Sequence, residues 1–218
     1  MTDGLVVRQL RLGPMQNFVY LVGCARTREA FVVDPAWEVD AIWNEAQEAD
    51  LKITDAIVTH RHGDHVNGLP DLLERGAVRV WAHRDDADDL PIPRSDVKRA
   101  SGGDVVRVGD VEATLVHTPG HTAGSQCVLV RGSLLTGDTL FIRGCGRCDL
   151  PGGDAARMYD TLTRVVGALP AETRVFPGHD YADVPTSTLA DERRENPFLL
   201  QADRDAFVAF RAARSRKK

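Results

Sequence analysis

The stretch T-H-R-H-G-D-H-V-N-G, residues 59–68, concentrates histidine far more than a polar loop requires. It places three histidines and one aspartate within six positions, although the whole chain has only 7 histidines. Crowded imidazoles repel one another when protonated, because each then carries a positive charge. The cluster is therefore either a set of metal ligands or a chance feature of a polar loop.

The same residue types recur where other predicted strands end. The strand A-I-V-T-H ends at His60, and A-T-L-V-H runs into a loop that carries His121. S-L-L-T-G-D ends at Asp138, and R-V-F-P-G-H ends at His179. Glycine or Pro-Gly stands beside three of the four, and such residues let the backbone turn sharply. Because catalytic side chains are commonly mounted on loops held by a rigid sheet, we expect these four to converge.

The resulting donor set is too large for one metal ion. His60 and His62 are two residues apart, so an extended backbone directs both to one side, and we expect a turn or helix to begin at the next acidic residue. A tetrahedral metal takes about four ligands, whereas two metals sharing a carboxylate use about seven. The absence of cysteine favours a hydrolytic or oxygen-activating centre over a structural zinc site. The predicted metal ligands are His60, His62, Asp64, His65, His121, Asp138 and His179.

Two further histidines, His83 and His117, fall outside this pattern, and we interpret them as ordinary structural residues. The donor types leave the metal open, because imidazole and carboxylate suit zinc, iron and manganese alike.

Composition is that of an ordinary globular enzyme. The 218 residues are 43% hydrophobic and 27% charged, which suits one domain over residues 1–218 with a short helical end from about residue 200. A net charge of −5 argues against nucleic acid as the partner. Without a signal peptide, a membrane-spanning run or enough cysteines for a disulfide scaffold, we expect a cytoplasmic protein that contacts no membrane. The basic tail, residues 211–218, is expected to be a solvated terminus.

Hydrophobic periodicity predicts an α+β fold. Short apolar runs separated by turns indicate strands, including a hairpin at Gly109-Asp110 and another at Arg131-Gly132. Helical spacing appears over residues 38–50 and 154–169. Strands dominate and helices separate groups of them, so we expect two packed sheets flanked by helices.

Four motifs carry a family resemblance: T-H-R-H-G-D-H-V-N-G, H-T-P-G-H-T-A-G-S, T-G-D-T-L-F and F-P-G-H-D-Y. In order and spacing they resemble the motifs of the metallo-β-lactamase superfamily. The resemblance implies an αββα sandwich with metals at one edge of the two sheets. It further implies one metal at His60, His62 and His121, a second at Asp64, His65 and His179, and Asp138 bridging them. A hydroxide between the ions would be the nucleophile, and Asp64 would be catalytic by orienting it.

Further segments, such as L-F-I-R-G-C-G-R-C-D-L, look like the branch of glyoxalase II (hydroxyacylglutathione hydrolase) and persulfide dioxygenase. The first hydrolyses a thioester with two metals. The second oxidises glutathione persulfide with O₂ and one Fe(II), at positions matching His60, His121 and Asp138. The stretch after His179 is shorter than the glutathione-binding end of glyoxalase II, whereas Cys148 departs from the threonine of the dioxygenase. We favour hydrolysis of a small thioester by two divalent ions, zinc first, with persulfide dioxygenation as the alternative. A metal-stabilised binding module is the non-enzymatic contrast.

Candidate substrate-binding residues surround the Gly144-Cys145-Gly146 turn. Arg143 and Arg147 could grip a carboxylate of a thiol carrier, and Tyr181 could hydrogen-bond a ligand or substrate. Cys145 and Cys148 form a single C-x-x-C without a thioredoxin-like context, so a redox role is the weaker interpretation. The oligomeric state stays open.

Overall fold

The computed structural model describes residues 4–215 and contains two six-stranded sheets. The first has the order β1 to β6, with β1 Leu5–Leu12, β2 Asn17–Cys24, β3 Glu29–Val33, β4 Lys52–Ile57, β5 Arg79–His83 and β6 Val97–Ala100. The second has the order β14-β13-β10-β9-β8-β7, with β7 Val105–Val108, β8 Val111–His117, β9 Gln126–Val130, β10 Ser133–Gly137, β13 Arg174–Pro177 and β14 Ser187–Thr188. A small hairpin joins β11 Leu140–Phe141 to β12 Gly144–Cys145.

Helices cover the outer faces of both sheets. They are α1 Val39–Glu48, α2 Gly63–Val66, α3 Leu69–Arg75, α4 Ala155–Asp160, α5 Leu189–Glu195 and α6 Arg204–Ser215. Short 3-10 turns lie at Ala87–Asp89 and Arg94–Asp96. No helix within residues 4–215 is long and apolar enough to cross a bilayer.

Alternation along the strands builds three apolar layers. In β2, Val19 and Leu21 pack with α1 and α3, whereas Phe18, Tyr20 and Val22 point the other way into the space between the sheets. This period of two is what a strand buried on both faces requires. A third apolar layer joins the outer face of the second sheet to α4, α5 and α6. The structure is therefore an αββα sandwich, which confirms the predicted α+β fold class.

Parallel pairing brings the ends of several strands to one edge. β3, β4 and β5 pair in parallel, and so do β10 and β13. β8 runs in the same direction as β10 because both pair antiparallel with β9. The loops that leave β8, β10 and β13 therefore start at one edge of the second sheet. The loop after β4 meets them there, because His60 and His62 lie close to His121, as the strand endings predicted.

One predicted helix has a more irregular form than its periodicity indicates. The pattern predicted a helix over residues 154–169, but α4 ends at Asp160 and continues as a π turn, Thr161–Val165, and a 3-10 turn, Val166–Ala168. The Thr161 hydroxyl donates to the Pro119 carbonyl at 2.7 Å, and the Thr163 hydroxyl donates to the Tyr159 backbone carbonyl at 2.7 Å. Side-chain bonds of this kind compete with the backbone ladder and distort helices. Both predicted hairpins and the helix over residues 38–50 are confirmed within one or two residues.

The layer between the sheets should control stability. Leu135 is fully buried there, so Leu135→Ala should lower the free energy of unfolding by ~2–5 kcal/mol, through lost burial and a residual cavity. Chemical denaturation would measure it, with Leu200→Ala as the control, because Leu200 is 57% exposed and its truncation should change stability by less than about 0.5 kcal/mol. Equal effects of both substitutions would contradict the layer assignment.

Candidate metal centre

The predicted donor residues converge at the shared sheet edge in two adjoining groups, which meet where the His60 and His65 ring centroids lie 4.2 Å apart. His60 and His62 lie in the loop after β4. The helix α2 begins at Gly63, one residue before Asp64, where we predicted a turn or helix. Within each group the candidate ligand atoms all lie within 4.8 Å of one another. The first group is His60, His62 and His121, and the second is Asp64, His65 and His179.

Asp138 lies between the two groups and faces both. One carboxylate oxygen, Oδ1, is 3.3 Å from Nε2 of His65 and 3.4 Å from Nε2 of His179. The other oxygen, Oδ2, is 3.4 Å from Nε2 of His121. A single carboxylate is thus positioned to serve both groups at once.

Hydrogen bonds at Nδ1 turn the opposite ring nitrogen of several histidines toward the centre. Nδ1 of His121 donates to the Arg147 carbonyl at 2.6 Å, and Nδ1 of His179 donates to the Met15 carbonyl at 3.0 Å. A carbonyl only accepts, so these bonds fix the tautomer in which Nε2 carries the lone pair of a neutral imidazole. This is the arrangement in which metal-binding histidines are usually held.

Unpartnered nitrogens show that a cation fits the site. Within the described chain, Nε2 of His60 and Nε2 of His121 are buried and have no hydrogen-bond partner. A buried polar atom without a partner costs ~1–3 kcal/mol, which a coordinated ion would offset. The donor set of imidazole and carboxylate is also one that divalent ions accept.

The electrostatic environment keeps two histidines of the first group uncharged. Burial, together with the neighbouring His65 and His121, holds the pKa of His60 well below its ordinary value, and burial lowers the pKa of His62 to about 4. Burial also opposes charge on His65, but Asp138 and Asp34 outweigh it and raise the pKa of that ring. His60 and His62 therefore offer neutral ring nitrogens at neutral pH.

Asp34 is a structural part of the site that the sequence analysis missed. It is buried at the end of β3, and its carboxylate accepts bonds from the Thr59 amide and hydroxyl, both at 2.6 Å. It also lies 2.9 Å from Nδ1 of His65. The only signal in the sequence was an aspartate that directly follows the apolar run A-F-V-V. Asn17 was missed too: its amide donates to Oδ2 of Asp64 at 3.0 Å.

Comparison with known proteins places this arrangement in a family. The model described as Metallo-beta-lactamase superfamily matches residues 12–179. The chain belongs to the metallo-β-lactamase superfamily. It is similar to the probable polyketide biosynthesis zinc-dependent hydrolase PksB of Bacillus subtilis, at 30% identity over 92% of this chain and 89% of that protein.

Other relatives within the superfamily carry two different names. A hydroxyacylglutathione hydrolase of Rhodospirillum rubrum is 38% identical over 89% of this chain and 86% of that protein. The crystal structure of ETHE1 from Myxococcus xanthus is 36% identical, with a TM-score of 0.87 over 95% of this chain and 90% of that chain. The persulfide dioxygenase ETHE1 of Homo sapiens is 32% identical over 89% of this chain and 76% of that protein. The chain is therefore an enzyme of a metal-binding superfamily whose members named hydrolase and dioxygenase resemble it about equally.

Beside the donor groups, this superfamily member has a pocket of about 780 Å³. The three predicted substrate-binding residues all line it. However, Arg143 pairs with Asp183 at 2.9 Å, and Arg147 forms a bidentate pair with Asp149 at 2.8 and 2.9 Å. A substrate carboxylate would have to compete with these acidic partners.

Tyr181 stacks on the ring of His179, with ring centroids 4.6 Å apart and planes within 8°. Burial raises the pKa of Tyr181 to about 12, so the phenol stays protonated and able to donate a hydrogen bond. The stack places its ring at the pocket wall next to the second donor group.

The end of the chain contributes to the pocket in a way that the sequence did not predict. We expected residues 211–218 to be a solvated tail, but Arg211 and Arg214 belong to α6 and line the pocket. Their guanidinium groups lie over the Phe198 ring, at 5.1 and 5.6 Å from its centroid. Residues 216–218 lie outside the described part. The sequence signal that could have indicated this position of α6 was its helical periodicity, which places Phe207 and Phe210 on one apolar face.

The C-x-x-C pair holds two free thiols, Cys145 buried and Cys148 partly buried. Burial raises the pKa of each to about 12, which disfavours the reactive thiolate.

His83 and His117 stack in parallel, with centroids 3.9 Å apart and planes within 8°. Asp85 completes a possible donor trio with them. A metal lies near the plane of each imidazole that binds it, and two stacked planes cannot both contain the same ion. The pair is thus poorly arranged for coordination, in line with its interpretation as structural.

The stack should be visible in the titration of His83. Burial lowers the pKa of His83 below 6.5, and the neighbouring His117 ring is the second cause of this shift. Because the folded-state pKa lies below the unfolded value, this histidine costs no stability above pH 6.5 and opposes folding increasingly as the pH falls below it. NMR titration of the zinc-loaded protein should give a pKa below 6.5 for His83, and His117→Gln should move it upward. A His83 pKa at or above 6.5 would be inconsistent with this environment.

Proposed function

We propose that the protein is a two-metal hydrolase that cleaves a small thioester. The observation that carries the proposal is the position of Asp138, whose two oxygens face two adjoining three-donor groups. A single-iron site would use Asp138 as one of its ligands, but it would not need the three donors of the second group. The oriented ring of His179 and the Asp34 contact of His65 further support a second group built to bind an ion.

The proposed ligands follow the two groups. His60, His62 and His121 hold one ion, Asp64, His65 and His179 hold the other, and Asp138 bridges them. We propose zinc, because the donors suit it and the relative PksB is named as zinc-dependent. Iron and manganese accept the same donors.

Bound divalent ions lower the pKa of water toward neutrality and polarise a carbonyl. Hydrolysis adds the hydroxyl of water to the acyl carbon, breaks the C–S bond, and leaves a carboxylic acid and a thiol. Asp64 is the proposed proton acceptor and orienting group. Its side chain is 16% exposed at the pocket, and the Asn17 amide holds Oδ2 at 3.0 Å, which leaves the other oxygen to face a ligand.

The residues that line the pocket suit a substrate with one apolar part and one anionic part. Phe141, Tyr181 and Phe198 supply aromatic wall, whereas four arginines supply positive charge. Acidic partners already pair with Arg143 and Arg147, so we propose that Arg214 of α6 meets a carboxylate of the thiol carrier. A thiol-derived substrate also agrees with the relative named hydroxyacylglutathione hydrolase.

The second candidate is a persulfide dioxygenase with one Fe(II) at His60, His121 and Asp138. The observation in its favour is the similarity to ETHE1 from Myxococcus xanthus, which has a TM-score of 0.87 over 95% of this chain. Oxygen uptake on glutathione persulfide, with about one iron per chain, would support it over hydrolysis.

Substitution at His179 separates the two candidates. His179→Ala removes one donor of the second group only, so a two-metal hydrolase should lose one of two ions and at least about 100-fold in thioester turnover, the upper range for disturbing a ligand environment. A single-iron dioxygenase should keep its ion and its oxygen uptake within a few-fold. Metal analysis, a released-thiol assay and an oxygen electrode measure these outcomes.

His117→Ala is the matched control, because this histidine lies outside both donor groups. It should keep both ions and most of the turnover. Retention of two ions and full thioesterase activity by His179→Ala would exclude the proposed ligand set.

Recognition by α6 has its own test. Arg214→Ala should raise KM for an anionic glutathione thioester by about 3- to 5-fold with little change in kcat, as expected for an exposed ion pair worth ~1 kcal/mol or less. KM for an uncharged N-acetylcysteamine thioester should not change. Arg107→Ala, in the distant β7–β8 hairpin, serves as the charge-matched control. An equal effect on both substrates would exclude a charge contact.

A further inference from the structure

Asp86 is a buried carboxylate whose partners all belong to the loops that carry the first donor group. It is 1% exposed and precedes the 3-10 turn Ala87–Asp89. Oδ2 accepts the Arg61 backbone N–H at 3.1 Å and the Thr122 hydroxyl at 2.6 Å. Oδ1 accepts the Gly124 backbone N–H at 2.9 Å. Asp86 is not a member of either donor group.

These bonds join the two chain segments from which the first donor group comes. Arg61 is the residue between His60 and His62, and Thr122 directly follows His121. One carboxylate thus fixes the peptide between two of the histidines and the residue next to the third. A backbone hydrogen bond from the Gln126 N–H to the Thr59 carbonyl, at 2.8 Å, also joins the two segments, but it precedes His60, whereas Asp86 binds between His60 and His62.

Further contacts indicate that this junction is built for close approach. A Cβ added to Gly124 would lie 2.6 Å from Cγ of Asp86, so only glycine admits the carboxylate here. The Arg61 guanidinium donates to Asp89 at 2.8 Å and to the Pro151 carbonyl at 2.6 Å, which anchors the same residue from its side-chain end.

A second buried carboxylate, Asp34, supports one histidine of each donor group. It lies 2.9 Å from Nδ1 of His65 and binds Thr59, whose hydroxyl is 3.1 Å from Nδ1 of His60. Asp86 contacts no ligand side chain: it accepts from two backbone N–H groups and the Thr122 hydroxyl, and the Arg61 guanidinium lies 3.8 Å from it. Asp34 therefore acts on the histidine rings, whereas Asp86 acts on the backbone of the two loops.

We propose that Asp86 is the positioning residue of the first metal position, setting the spacing of His60, His62 and His121. The inference rests on the proposed metal ligands. It assigns Asp86 no contact with substrate or metal. Its loss should weaken the ion held by those three histidines and leave the other ion bound.

Asp86→Asn is the direct test, since it keeps the size of the side chain. An amide has one accepting oxygen, so in either orientation its NH₂ group faces the N–H of Arg61 or of Gly124. We expect one of two zinc ions to bind about 10- to 100-fold more weakly, the range for lost outer-shell support. Competition with a chromophoric chelator measures zinc affinity, and the visible spectrum of the cobalt form reports the geometry of the altered position.

Asp55→Asn is the matched control for general destabilisation. Asp55 is equally buried, in β4, and accepts bonds from Arg79 and Trp81, both outside the donor loops. It should lower the melting temperature of the metal-free protein without changing either zinc affinity. Equal weakening of zinc binding by Asp55→Asn and Asp86→Asn, or wild-type binding by Asp86→Asn, would overturn the inference.

Thr122→Val tests the positioning role of Asp86 if the Asp86→Asn variant does not fold. It is nearly isosteric and removes the hydroxyl that donates to Asp86, so the same ion should bind about 3- to 10-fold more weakly, as one lost hydrogen bond predicts. Unchanged zinc binding would again overturn the inference. A wild-type protein that binds neither zinc nor cobalt would instead refute the proposed function itself, and the assignment of Asp86 with it.

Discussion

Five imidazoles can share one buried space only if most of them remain uncharged and point their free nitrogens inward. Burial supplies the first condition, because it lowers the pKa values of His60 and His62. Acceptors at Nδ1 supply the second, as the carbonyls of Arg147 and Met15 do for their histidine partners. The sandwich, its parallel strand pairs and its loop contacts hold these crowded histidines together at one edge.

The convergence of the candidate ligands was predictable because most of them are histidines, a rare residue type, at regular positions after strands. His121 and His179 could be found from glycine-marked turns alone, and the parallel pairing of β10 with β13 brings His179 beside Asp138. Asp34 and Asp86 could not be found in this way, because aspartate is common and their importance lies in contacts across more than twenty residues of sequence. The position of α6 against the pocket was missed for the same reason, since packing against Phe198 decides it rather than local charge.

Hydrolase and dioxygenase members share the sandwich and most of the donors, so the fold does not determine the reaction. The two reactions differ in the number of metal ions that the donors bind and in the substrate that enters the pocket. In this chain the second group is as completely supported as the first, with Asp34 on His65 and a backbone carbonyl on His179. This symmetry of support is the physical basis for preferring two ions over one.

Recognition and chemistry are carried by different layers of this molecule. The candidate metal ligands lie in loops at the sheet edge. Arg211 and Arg214 instead belong to α6, which packs on α4 and the outer face of the second sheet. Substitutions along that helix can therefore reshape the cavity wall without moving a single donor. Such a division allows the shape and charge of the pocket to change through a peripheral helix, while the edge that carries the donors stays constant.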